Sequence, residues 1–142
     1  AAEYWALRED DGFERYCCAA DGNDHETLSL TKQDSKITRL ARVTARKNPI
    51  PSSLRGMLGC KDGFAFKISE TWQVDAFDEA HNMTFVIEPA VMASRICVTG
   101  AQWVEPKGAS ACRIHFWMNC KVSISGVGGA IGRGIESNSF VS

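Results

Sequence analysis

A carboxylate stands where a strand pattern asks for an apolar residue. Phe64, Phe66, Ile68, Glu70 and Trp72 occupy alternate positions, with Ala65, Lys67, Ser69, Thr71 and Gln73 between them. An extended chain therefore turns Glu70 to the same face as four apolar side chains. A carboxylate in that setting is neutral, paired with an arginine, or set against the polar end of a ligand. Pairing with Arg39, Arg42 or Arg95 is the plainer expectation, because buried acids are usually paired. As a general acid or base in an apolar cavity, Glu70 would support cyclase- or hydratase-type chemistry. The sequence offers no positioned companion for that role.

The other reactive residues carry weaker signals. Cys112, His115 and Cys120 suggest a metal, but on a strand His115 faces away from both cysteines, so no metal is expected. Cys17-Cys18 lies on a helix near Arg15, which would lower a thiol pKa, yet no second activating group accompanies it. No Gly-x-Ser-x-Gly elbow occurs. His25 and His81 lie in turn-like segments and are expected to be solvated. Gly126-Val127-Gly128-Gly129-Ala130-Ile131-Gly132 follows a strand, but a dinucleotide fingerprint would want glycine at Ile131 and an acidic residue about 20 positions on. No cofactor is expected. Lys36, Arg39, Arg42, Arg46 and Lys47 form a basic run without aromatic residues for base stacking, so it reads as a solvated strand edge and not a nucleic-acid site.

The elements that must position these residues are mostly strands. Residues 1–8 look helical. Asp11-Gly12-Phe13-Glu14 has capping-box spacing and should start a short helix that stops near Gly22. Strands follow over 26–32 and 36–45, split by the turn Gln33-Asp34-Ser35. Asn48-Pro49-Ile50-Pro51 excludes an inner strand, so residues 47–62 form a loop with a one- or two-turn helix. Further strands are expected over 64–74, 83–87 and 94–105. The longest runs from Cys112 through Ile114, Phe116, Met118, Cys120 and Val122 to Ile124, with polar or aromatic residues in alternate positions. Val127, Ile131 and Ile135 then recur every four residues, as a helix kept small on its other faces would show. Meandering strands with helices at the ends mean an α+β fold.

Bulk properties fit one globular domain over residues 1–142. Hydrophobic residues make up 44% of 142, and the net charge of −1 favours neither nucleic acid nor an anionic membrane surface. No apolar run reaches a membrane span of about 18 to 20 residues. The six cysteines are too scattered for a disulfide framework and read as reduced, mostly buried thiols in an intracellular, reducing compartment.

Three phrases carry a family resemblance: Glu70-Thr71-Trp72 in a strand after a Pro-rich insertion, the strand end from Gly100 to Pro106 with its tight turn, and the last strand running into Gly126-Val127-Gly128-Gly129. In these, residues 10–137 resemble the START/Bet v 1-like helix-grip superfamily, the polyketide-cyclase and lipid-transfer group. The likeness is nearest to bacterial members of unknown function. It implies a curved antiparallel sheet gripping a C-terminal helix. It also implies a first strand ahead of the helices and a final helix of about five or six turns. Neither fits between Ala1 and Ser142, so the expected fold is incomplete at both ends: either a piece of a longer protein, or a domain with a short helix.

The function expected from this reading is non-enzymatic binding or transport of a hydrophobic small molecule or lipid between sheet and helix. Phe64, Phe66, Ile68, Trp72, Phe85, Ile114, Phe116 and Met118 would supply apolar walls, and Glu70 the polar handle. One alternative is an accessory subunit with a filled core, using Trp103 and Trp117 on the outward face as contacts for a protein partner. The other is the cyclase- or hydratase-type enzyme.

Overall fold

Alternating apolar and polar residues build the longest elements as strands, and two short helices close one end of them. The computed structural model describes residues 1–48, 50–60 and 63–123. Helices α1 (Ala2–Glu9) and α2 (Asp11–Ala20) come first. Strands β1 (Asn23–Gln33) and β2 (Lys36–Ala45) follow, then a short helix α3 (Ser52–Leu58). After it come β3 (Phe64–Gln73), a 3-10 turn (Glu79–His81), β4 (Met83–Pro89), β5 (Ile96–Pro106) and β6 (Cys112–Val122). The strands form one antiparallel, open, curved sheet in the order β1-β2-β3-β4-β5-β6, so each strand pairs with its neighbour in sequence. This is an α+β fold. The expected Gly126–Gly132 turn, the helix through Val127, Ile131 and Ile135, and the end of the long alternation at Ile124 lie outside the described residues.

Local chemistry explains the boundaries. Asp34 takes a left-handed conformation (φ 53°) between β1 and β2, as a tight hairpin turn needs. Gly22, at φ 74°, stops α2. The cap of α2 differs from the sequence expectation by one residue. Asp10, not Asp11, is extended and accepts a 2.7 Å hydrogen bond from the Phe13 amide. Asp11 is drawn away by the Thr27 hydroxyl, also at 2.7 Å, and by Arg15 at 2.6 Å. Glu14 is then free to turn inward instead of closing a capping box.

Strand parity decides which side is core. On one face, β2 Arg39 pairs with β3 Glu70, which pairs with β4 Phe85, then β5 Gly100 and β6 Met118. The next rung toward α1 carries Met83, Gln102 and Phe116. Two apolar clusters fill this inner face. One gathers Ile50, Cys60, Phe64, Ile96 and Val98; the other gathers Trp5, Ile37, Trp72, Met83, Phe85 and Val104. Ile87 and Met118 pack against both. Trp5 of α1 plugs the second cluster. It stacks on Trp72 with ring centroids 6.4 Å apart, and its indole N–H donates to the Ala76 carbonyl at 3.2 Å.

Three expectations are corrected here. The basic run is not a strand edge, because β2 lies between β1 and β3. Arg39 shares parity with Ile37, Ala41 and Val43 and is buried with them. His25 is not solvated: β1 begins earlier than expected, and its side chain is only 3% exposed against α2. The cysteines are not mostly buried. Cys60 is, but Cys97 and Cys112 are exposed and Cys17 and Cys18 are half-buried. Cys112 opens β6 opposite Pro106, at the corner of the sheet.

Candidate functional site

The polar centre of the inner face is an ionic quartet. Arg39 Nε and Nη2 both lie 2.6 Å from Glu70 Oε2, while Arg8 Nη2 reaches Glu70 Oε1 at 2.7 Å. Glu14 Oε1 lies 2.5 Å from Arg8 Nη1 and 3.3 Å from Arg39 Nη1. Arg39 also donates to the Arg8 carbonyl at 2.7 Å. The four side chains come from α1, α2, β2 and β3, so the quartet ties both helices to the sheet. Burial would lower the pKa of Arg8, but Glu70 and Glu14 outweigh it and hold the guanidinium above its ordinary value. Two arginines and two glutamates leave no net charge. Of the partners considered for Glu70, Arg39 is the one used. Arg8 had no local signal, since it lies 62 residues away in sequence.

Beside the quartet lies a neutral polar pair. Gln102 Nε2 donates to the Tyr4 hydroxyl, which joins α1 to β5. Gln102 sits on the inner face between Met83 and Phe116. Burial is the main influence on the Tyr4 phenol and raises its pKa despite the opposing charge of Arg8, so it stays protonated.

The apolar residues expected to form a ligand wall divide in two. Phe64 and Trp72 are buried in the two clusters, and Phe66 and Ile68 are half-buried. Phe85 is buried, and its ring stacks on Phe116 with centroids 5.6 Å apart and planes 13° from parallel. On β6, Met118 is half-covered, but Ile114 is 49% exposed and Phe116 45%. Gly100 makes room for this stack. A Cβ there would stand 2.5 Å from the Trp117 carbonyl oxygen and 2.7 Å from Phe85 Cε1. Among the described residues, the inner face is thus sealed under α1 and uncovered along β6.

A family model described as Protein of unknown function (DUF2505) matches residues 1–139. The chain belongs to the DUF2505 family. No curated protein matches it. In this DUF2505 chain the outer face is wetter, with one aromatic corner. Trp103 and His115 stack in parallel at 4.7 Å, and His115 Nε2 lies 3.0 Å from Glu105 Oε2. Lys107, at 2.6 Å, and then His115 lower the Glu105 pKa to about 2. Trp117, on the same face, is 49% exposed. His115 therefore points away from Cys112 and Cys120, as parity requires.

The one activating influence considered for Cys17-Cys18, the charge of Arg15, does not lower either thiol. Arg15 spends its charge on Asp11, and burial, reinforced by Glu14, pushes the Cys18 thiol up to about 11. Cys17 is raised by the same causes. No helix of the described residues is long and apolar enough to cross a membrane.

Proposed function

We propose that this DUF2505 chain binds or carries a hydrophobic small molecule or lipid, without catalysis, against the inner face of β4, β5 and β6. The observation that carries this reading is the near-half exposure of Ile114 and Phe116 on the face whose other apolar residues form the core. Apolar side chains on an inner face, with few polar groups among them, are what a hydrophobic ligand site needs. The resemblance to helix-grip proteins supports the same reading. Phe85, Phe116, Met118 and Ile114 are the contact residues, with Phe66 deeper toward the first cluster and Ile68 toward the second. Phe64 and Trp72 act as their packed support. Glu70 acts through the quartet, which sets the polar boundary of the site. Both of its carboxylate oxygens are engaged by arginine, which favours binding over a cyclase- or hydratase-type reaction.

The test is mass spectrometry of the organic extract from natively purified protein. A co-purifying apolar compound is expected, and Phe116→Glu should abolish its retention while preserving the fold. An extract without such a compound, together with no binding of added lipid, contradicts the reading. A second reading, an accessory subunit, has its own observation: Trp117 and Val86 leave the outer face partly apolar, at 49% and 40% exposure. It expects a stable complex with a protein partner that Trp117→Ser breaks and Phe116→Glu does not.

A further inference from the structure

The polar groups at the border of the open face are unequal in what they have left to give. The quartet is electrically closed, two guanidinium groups against two carboxylates, with every charge facing an opposite one within 3.3 Å. An ionic head group brought beside it would meet no spare counter-charge and would lose its hydration. The Tyr4–Gln102 pair is different. Their mutual hydrogen bond uses one Gln102 amide proton and one Tyr4 oxygen lone pair. Among the described residues, the Tyr4 hydroxyl proton and the Gln102 carbonyl oxygen have no further partner. Gln102 is 9% exposed, and it neighbours Phe116 across the β5–β6 ladder. The pair therefore holds two unused donors, the Tyr4 O–H and the second Gln102 amide proton, and one unused acceptor, the Gln102 carbonyl oxygen, next to the open apolar row. Both side chains are neutral.

Resting on the binding reading above, we infer that the ligand has an apolar body and a single uncharged hydroxyl head, held by Tyr4 and Gln102. A hydroxyl satisfies both groups at once: it accepts from the Tyr4 O–H and donates to the Gln102 carbonyl. A carboxylate meets only the donors and leaves the Gln102 carbonyl oxygen facing a like partial charge. An alkylammonium meets only that carbonyl oxygen and leaves the donors unmatched.

Three probes with the same ten-carbon chain separate these cases: 1-decanol, decanoate and decylammonium, titrated into the full chain at pH 7.5 and followed by calorimetry. The parent is expected to bind 1-decanol at least about tenfold more tightly than either ion. Gln102→Leu and Tyr4→Phe should each weaken 1-decanol binding about fivefold, the factor expected for one lost hydrogen bond, and leave the ions little changed. Thermal melts of both variants establish that they fold, and Tyr4→Phe, which keeps the ring against Trp5, is the milder change. Equal binding of all three probes overturns the head-group assignment and leaves the binding reading standing. So does parent-like 1-decanol affinity in both variants. Binding of none of the probes overturns both.

Discussion

The inner face has two ends that share a sheet and differ in cover. Toward β2 and β3, α1 lays Trp5 on Trp72, and the quartet locks both helices down; Trp5, Ile37 and Trp72 are at most 1% exposed. Toward β6 the same parity continues with equally apolar residues, yet Ile114 and Phe116 stay nearly half exposed. Composition alone does not separate the ends. What separates them is whether a helix of the described chain lies above. A side chain under α1 contributes to stability, and one on the open row is the proposed ligand contact.

Substitutions at the two ends should therefore differ in kind, and the largest effect belongs to the sealed end. Trp5→Ala removes the plug of the second cluster and should cost about 3 to 5 kcal/mol in urea unfolding. Arg39→Met leaves Glu70 and Glu14 with Arg8 alone, and breaking a buried ionic set in this way costs about 3 to 5 kcal/mol. The paired change Arg39→Met with Glu70→Leu leaves Arg8 with Glu14 and should recover most of that loss. If the double variant is no more stable than the single one, the quartet is not a closed electrostatic unit.

Gly100→Ala tests the seam between the ends. Its new methyl meets the Trp117 carbonyl as well as the Phe85 ring, so part of the clash is with backbone and cannot be relieved by a rotamer change. A loss of about 1 to 3 kcal/mol is expected. Phe116→Ala, on the open end, should cost about 1 kcal/mol or less, since nearly half of the ring is already in water. A Phe116→Ala loss as large as that of Trp5→Ala would erase the contrast between the ends.

The smallest effect is a pH dependence at the sealed end. Burial holds the His25 pKa below its ordinary value of 6.5. The unfolded chain then takes up the proton first, so stability is fully present above about pH 6.5 and declines as pH falls through the window below it. Thermal melts at pH 7 and pH 5 should show this decline, and His25→Gln should flatten it. A parent protein that gains stability on acidification over this range would contradict the burial of His25.

Much of this arrangement was legible in the alternation of residues. Glu70 is marked as inward by its neighbours Ile68 and Trp72, and the strand through Cys112 to Val122 by its two-residue period. The same test applied to β2 would have found Arg39, which shares parity with Ile37, Ala41 and Val43. Other features had no such mark. Arg8 reaches Glu70 only because α1 folds back across the sheet, and nothing near either residue encodes that. Gln102 was hidden because Ala101 beside it is also buried, which blurs the period of β5. The exposure of Ile114 and Phe116 could not be read at all, since parity tells which face a residue joins and not whether another element covers that face. The cap at Asp10 was missed because two adjacent aspartates compete for it, and Thr27, distant in sequence, decides the outcome by taking Asp11.

The division of the inner face is tested most directly by backbone amide NMR during titration with 1-decanol. Shifts are expected at Phe85, Gln102, Ile114, Phe116 and Met118, with the amides of Ile37, Arg39 and Trp72 unmoved. Shifts confined to the outer face around Val86 and Trp117, or spread equally over the sealed end, would contradict the account.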